Sequence, residues 1–552
     1  MSQYKIENKI CQNCKQDFII EPEDFEFYEK IKVLAPNNCP DCRQQKRLAF
    51  WPFAKFNKRK CDLSGESIIS IYPSNTHFPV YKASNWNSDA WEPPFLEYDN
   101  SKNFFEQIYE LQKKSPKPHQ FGTNNQNCDY CDDVWDSKNC YLCRSLANCE
   151  NLSYSYRTLN CRDSYDLTYC YDSEKSYDCI YCFKLYNVKY AFDSRDSFGS
   201  AFLYDCRNVR NCFMCWNLRN KEYHILNQPY SKEEYFQKLK EYNLNSWNTI
   251  QFLKKNFEKN VKEEAIHKNN FNTKTVNSNG NYLSECKNCR SAYFLEKSEN
   301  CSYYFRGAMN KDIFDSAGVY KGELAYDVNQ MTDVYNMKHS NYCVNCRDSE
   351  YLDSCIGCEN CFGCVGLKNK SYSILNKQYS KDDYYNLVES IKKDMKADNS
   401  YGEFFPYKMA HGGYNLSLSG IFFSKTEEDV KQAGGNWEEL EDTDVSKLTI
   451  SPFIDDVSTV ENEISSKVFL CEETGRPFNL KREEIDFYKQ SSIPLPHHYP
   501  DIRTKDRIKK LFCIKSIDVK CAFCAKDMIS YYPKEWGYKK IACEECYLKE
   551  VA

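Results

Sequence analysis

From Cys128 to Leu218 every third residue is small or apolar: the 31 positions of that phase hold only Cys, Ser, Leu, Val, Ala or Thr, and 12 are Cys. The residue before each is most often Asn or Asp (Asp136, Asn139, Asn148, Asn160, Asp163, Asp178, Asp205, Asn211). The residue after is often aromatic (Tyr141, Tyr156, Tyr165, Tyr171, Phe183, Phe192, Phe198, Tyr204). A three-residue beat matches neither a helix face at 3.6 nor a strand at 2.0. It suits a chain that coils and turns one small side chain inward per triplet. Asn and Asp tolerate the left-handed region and bond their own backbone, so they belong at the bends. Stacked coils then place like residues over like, as in solenoids. Leu167, Leu185 and Leu203 recur every 18 residues, which suggests a coil of about that length.

The same phase returns more loosely from Cys286 to Leu367, where Tyr304, Gly307, Asn310 and Gly322 break the small-residue rule. Each solenoid segment ends in one block: Asn211 to Tyr235 matches Asn360 to Tyr384, 149 residues later, at 15 of 25 places. In both copies a Ser faces an acid three residues on (Ser231 with Glu234, Ser380 with Asp383), a capping pair that starts a helix closing the coil stack. Upstream, Ser101 before Phe104, Phe105, Ile108 and Leu111 predicts an N-capped amphipathic helix. The order expected is an N-terminal module (1–95), a helix and linker (96–127), the first solenoid segment (128–230) and a helical insertion (231–270). The second segment (271–379), a capping helix with an irregular connector (380–466) and a C-terminal module (467–552) follow.

Cysteine changes the picture most. With 32 Cys in 552 residues, a net charge of −5, mean hydropathy of −0.75 and 16% aromatics, the chain is neither a disordered tail nor a basic coat. No run approaches 18 apolar residues, so no membrane span is expected. The opening MSQYKIENKI lacks a signal-peptide core, so a cytoplasmic location is expected and disulfides are not.

Cys11, Cys14, Cys39 and Cys42 form C-x2-C-x24-C-x2-C, two knuckles that make a closed tetrahedral zinc site with no position left for chemistry. The second knuckle runs into a helix-like stretch, as in a treble-clef finger. The C-terminal module is the same text shifted by 460 residues: Cys11 maps to Cys471, Phe27-Tyr28 to Phe487-Tyr488, Arg43 and Arg47 to Arg503 and Arg507, and Cys61 to Cys521. There Thr474, Tyr499 and Ile502 replace Cys14, Cys39 and Cys42, while Cys521, Cys524, Cys543 and Cys546 supply a different set of four. Two zinc ions per chain are expected.

The ladder cysteines repeat C-x2-C-x8-C-x2-C at Cys128, Cys131, Cys140 and Cys143 and again at Cys343, Cys346, Cys355 and Cys358. Their phase also accepts Ser, Val and Leu, which cannot stand in for a thiolate, so interior packing is the expected role. Cys355, Cys358, Cys361 and Cys364 on consecutive beats mark where a third metal would sit. The fold class expected is therefore mainly β: a β-solenoid on a three-residue repeat, flanked by small α+β treble-clef-like zinc modules and capping helices.

Arg43 to Lys60 contains no acid and carries Arg43, Lys46, Arg47, Lys58, Arg59 and Lys60 among Trp51, Phe53 and Phe56. Cations with aromatics beside a zinc finger can grip RNA or DNA. A helix packing its aromatics inward with its charges in solvent explains the same text.

Cys39-Pro-Asp-Cys42-Arg, Lys58 to Gly65, Leu367 to Tyr384, Tyr401 to Pro406 and Cys543 to Glu550 together resemble an uncharacterised family of cysteine-rich zinc-ribbon and repeat proteins of metagenome-derived, candidate-phyla bacteria. Members are sometimes labelled CaiB/BaiF, a CoA-transferase name, but no nucleotide-binding or acyl-transfer signature here goes with that label. The resemblance implies a type and brings no activity. No HExxH, P-loop, GxSxG or dinucleotide fingerprint is present, and the eight His are scattered. The leading expectation is a non-enzymatic, zinc-bound scaffold whose repeat surface binds a macromolecule, protein or RNA. Nucleic-acid binding through the basic modules, and metal-handling or thiol chemistry on the cysteine ladders, are the alternatives.

Overall fold

The computed structural model describes residues 4–53, 55–439 and 444–551. The triplet is the unit of backbone conformation. Asp136, Asn139, Leu142 and Ser145 lie at φ 49°, 53°, 51° and 57°, and a left-handed residue recurs at nearly every third position of both solenoid segments. The residue after each such corner points inward. Those side chains form two continuous cores, one from Cys131 to Cys215 and one from Leu283 to Leu367.

The coil is 12 residues long, not 18. Glu150 pairs in parallel with Arg162, Tyr165 with Tyr177 and Ala191 with Leu203. Four triplets with four corners close one turn, so Leu167 and Leu185 stand one and a half turns apart on opposite walls. In each triplet the ladder takes two N–H groups: Lys138 donates to the Cys149 carbonyl (2.9 Å) and Asn151 to the Lys138 carbonyl (3.0 Å). The third N–H, of the inward residue, points into the core, where an unpaired donor would be costly. A Ser hydroxyl one coil earlier accepts it, as Ser137 does from Cys149 (3.1 Å) and Ser155 from Leu167 (3.3 Å). Sulfur does the same more weakly: Cys346 Sγ accepts the Cys358 N–H at 3.5 Å. This is why the inward phase favours Ser and Cys over Ala.

Outside the coils, stacked corners form side-chain ladders. Asn127 donates to Asn139 (3.2 Å), Asn139 to Asn151 (3.0 Å) and Asn151 to Asp163 (2.7 Å). The ladder ends at Asp163 because a carboxylate has no proton to pass on. At each coil-stack terminus one Asn amide imitates the missing backbone: Asn227 accepts from the Trp216 N–H and donates to its carbonyl (both 3.0 Å), and Asn376 does so at Val365 (3.0 and 2.8 Å). The helices Lys232–Leu239 and Lys381–Ala397 follow, capped by Ser231 and Ser380 as the sequence suggests. The helix Phe104–Lys114 is capped by Asn103 rather than Ser101, which bonds Asp99 instead.

The chain forms two compact units: residues 1–120 with 270–438, and 121–269 with 439–552. The N-terminal module therefore rests on the second solenoid segment and the C-terminal module on the first. The two interfaces are the same interface. Phe27 stacks on Phe314 (3.9 Å between centroids) and Phe487 on Tyr165 (4.1 Å). Tyr28 meets Tyr326 (5.5 Å) and Tyr488 meets Tyr177 (5.7 Å). Tyr303 donates to Asp24 (2.8 Å) and Tyr154 to Glu484 (2.6 Å). All three pairs keep the 460-residue offset on the module side and the 149-residue offset on the solenoid side.

At the centre of each interface a helix inserts two arginines between aspartates stacked one coil apart. From Pro40–Ala49, Arg43 Nε reaches Asp315 (2.8 Å), and Arg47 reaches Asp315 (3.3 Å) and Asp327 (2.8 Å). From Pro500–Lys509, Arg503 and Arg507 reach Asp166 at 2.6 and 2.8 Å, with Asp178 at 4.0 Å from Arg507. Asp315 and Asp166 are fully buried. Burial acts to raise Asp327, but a hydrogen bond from His339 and the charge of Arg47 outweigh it and hold the carboxyl below its usual range.

Removing one partner of such a pair strands a buried charge, so Arg47→Ala is expected to cost about 3–5 kcal/mol in urea unfolding. Adding Asp315→Asn to it should cost less than the sum of the two single changes; strict additivity would contradict the interface.

A pH dependence follows from His267, which is fully buried. Its Nε2 faces the Val261 carbonyl (3.0 Å) and must donate, so Nδ1 accepts from the Tyr204 hydroxyl (2.7 Å) and the ring is neutral. Burial lowers the imidazole to about 3. The unfolded chain binds the proton near pH 6.5 and the folded one does not, so this contribution is present above that pH and falls as pH drops, by about 1.4 kcal/mol per unit. His267→Gln should flatten the stability profile between pH 6 and 4 by about one such group.

Candidate metal centres

Each module is built from two hairpin-and-helix halves. In the first half of the N-terminal copy, strands Glu7–Ile10 and Asp17–Ile20 hold the knuckle Cys11 to Cys14, with Lys15 left-handed at φ 63°. Cys39 is the N-cap of Pro40–Ala49, and Cys42 lies in its first turn. The docking arginines share that helix with Cys42. In the C-terminal copy the second half carries the set: Ile517–Lys520 and Asp527–Ser530 flank Cys521 and Cys524, and Cys543 and Cys546 open the helix Glu544–Val551.

In both sets all four sulfurs lie within 4.8 Å of one another. Cys14 and Cys39 Sγ are 3.7 Å apart, and Cys524 and Cys543 Sγ 3.8 Å. A tetrahedron of thiolates around a metal at ≈ 2.3 Å has edges of about 3.8 Å, so the donors already stand at coordination spacing. In each set the first cysteine is the one whose surroundings favour thiolate, while Cys14, Cys39 and Cys546 are pushed up by the neighbouring sulfurs and by burial. Burial acts to raise Cys11, but backbone N–H groups of Cys39, Cys14 and Asn13 outweigh it and bring the thiol down to about 6. The N–H groups of Cys543, Cys524 and Phe523 do the same for Cys521, also to about 6. Four protein ligands leave no open coordination position, so each site would be structural.

The half that lost its cysteines keeps its shape by other means. Cys61 Sγ accepts the Lys82 N–H (3.2 Å) and the Asn85 amide (3.6 Å), the places that Cys543 and Cys546 hold in the other copy. At Cys471 the partner positions are Thr474, Tyr499 and Ile502, and the Arg476 guanidinium lies 3.8 Å from the Tyr499 ring centre. A cation over a ring there stands where the sibling site gathers thiolates.

Among the described residues no other set of three or more Cys, His, Asp or Glu converges this way, and Cys355, Cys358, Cys361 and Cys364 do not. The ladder thiols are free and, apart from the half-buried Cys128, buried, and burial pushes Cys206 up to about 12. The basic candidates are spent on structure: Arg43 and Arg47 are buried in the aspartate clamp, and Arg59 holds Asp62 (2.8 Å) and the Pro73 carbonyl (2.6 Å). Lys46 lies 3.7 Å from Glu403, leaving Lys58 and Lys60 exposed.

Sequence reading missed the partners of the arginines and the buried set in which Asp353 takes Lys117 (2.7 Å) and His411 (3.1 Å). The available signal was Asp over Asp at a spacing of 12 (Asp166 and Asp178, Asp315 and Asp327), a like-charge stack that demands a cation. The assumed 18-residue coil hid it.

No protein-family model and no curated protein matches the chain.

Cys14→Ser and Cys524→Ser should each remove one equivalent of bound metal, measured by elemental analysis of the purified chain, whereas Cys355→Ser should leave the metal content unchanged. Loss of metal in the third variant would return the ladder to the list of ligands.

Proposed function

We propose that the protein is a non-enzymatic scaffold in which two zinc ions fix the modules, the modules clamp the solenoid faces, and the uncovered faces bind another macromolecule. Zinc is favoured because four thiolates at tetrahedral spacing suit a soft, redox-inert ion. The observation that carries the scaffold reading is the column geometry of the exposed surface. Tyr186 stacks parallel on Phe198 (5.0 Å, 5° between planes), Lys138 faces Glu150 (3.6 Å), and the Asn127 ladder runs beside them. Trp135, Tyr186 and Phe198 remain 40, 37 and 47% exposed. Groups repeating at about 4.8 Å per coil suit an extended partner lying along the stack.

Catalysis by the ladder thiols is disfavoured, because they face the packed interior, away from any substrate. Nucleic-acid binding through the N-terminal module is disfavoured, because its two best-placed arginines are sequestered.

A photo-crosslinking residue at Phe198 should capture a partner in cells that express the protein natively, and one at buried Phe202 should not. Digesting the adduct with protease or with ribonuclease tells protein from RNA. Equal capture at the two positions would count against a face-specific partner.

A further inference from the structure

Duplication supplies an internal control. Over the first solenoid segment, the helix Trp247–Glu263 and the stretch around Trp536 leave a cavity of about 380 Å³ within one unit. At the matching place in the other unit, 149 residues on, Tyr190, Phe202 and Tyr204 become His339, Tyr351 and Asp353. There the space is filled: Phe104 and Phe105 pack on Tyr351 (5.5 and 5.6 Å), and Lys117 reaches Asp353. The space over these three positions is thus filled in one copy and open in the other; the filled copy has instead a separate cavity of about 440 Å³ beside Phe105, Tyr326 and Asp327.

The hollow has the makings of a small-molecule site. Its walls are aromatic: Tyr190, Phe202, Phe257, Trp536 and Tyr538. Two of its cations are already balanced, Lys254 by Asp178 (2.7 Å) and Lys510 by Glu258 (3.2 Å). Lys262 makes no ion pair among the described residues; its ammonium runs beside Gly537, 2.9 Å from where a Cβ there would stand. Gly537 is left-handed (φ 65°), which keeps that approach open. The hydroxyls of Tyr190 and Tyr538 likewise have no protein hydrogen bond among the described residues.

We propose that this cavity binds a flat aromatic organic anion, its rings packed against the wall that Phe202, Phe257 and Trp536 form and its acidic group on Lys262 at the mouth. Rings stack on ring walls, the phenols offer hydrogen bonds, and the surplus lysine selects a negative charge. The inference stands apart from the scaffold reading.

The probe is 1-anilinonaphthalene-8-sulfonate, titrated into the full-length, metal-loaded chain and followed by its fluorescence. One saturable site is expected, with emission sensitised by tryptophan that drops in Trp536→Phe. Lys262→Glu, a change on an exposed residue, should weaken binding about tenfold, and Lys262→Arg should retain it. Ile180→Trp should fill the hollow and abolish binding, provided its circular dichroism matches the parent. Absence of saturable binding to the parent overturns the proposal, as does binding unchanged in both Lys262→Glu and Trp536→Phe.

Discussion

A left-handed residue at every third position is the constraint from which the rest of the solenoid follows. Each such residue costs an L-amino acid about 1–2 kcal/mol relative to the right-handed helical region, and the chain repeats it for some hundred residues in each segment. Asn and Asp lower the cost locally. The remainder is offset by what four regular corners make possible: every coil lies in register on the next, two of three N–H groups join the ladder, and one small side chain per triplet reaches a dry interior. A helix or a flat strand offers no such repeat, so the triplet text has no competing regular fold.

The interior explains the cysteine count. The inward N–H of each triplet can be met by an acceptor from the coil before where that residue is Ser, Thr or Cys, the small residues that carry one. Cys adds apolar bulk to a weak lone pair, so it can alternate with Ser, Leu and Val without changing the architecture. The terminal cysteines answer a different demand. They sit on knuckle loops whose N–H groups converge on sulfur and stabilise its negative charge, and they come in fours. One residue type thus plays two roles, separated by whether four sulfurs converge on one point or line up singly along a packed interior.

Duplication built the molecule twice and then let the copies diverge where divergence was tolerable. The docking interface did not drift: ring stack, tyrosine–carboxylate bond and arginine–aspartate clamp survive in both units. These contacts are coupled, since a buried arginine without its aspartates, or stacked aspartates without an arginine, is worse than neither. The four-thiol sets did drift, each copy keeping the half the other lost, and the other knuckle is held by N–H···S bonds at Cys61 or by a cation over the Tyr499 ring.

Much of this was legible in the residues themselves. The three-residue beat, the inward phase, the two sets of four thiols, the capping pairs at Ser231 and Ser380 and both internal repeats are local or periodic features, and local geometry is what fixes them. The coil length was not, because Leu167, Leu185 and Leu203 are compatible with any multiple of the triplet; only pairing between coils selects 12. Nor was the use of Arg43 and Arg47, whose charge reads as solvent-facing until Asp315 and Asp327, some 270 residues away, are brought beneath them. Corner positions that hold Tyr, Phe or stacked Asp instead of Asn mark the covered faces, but that meaning exists only once the fold decides which corners stack. Periodicity determined the coil; packing between distant segments decided what the coil is pressed against.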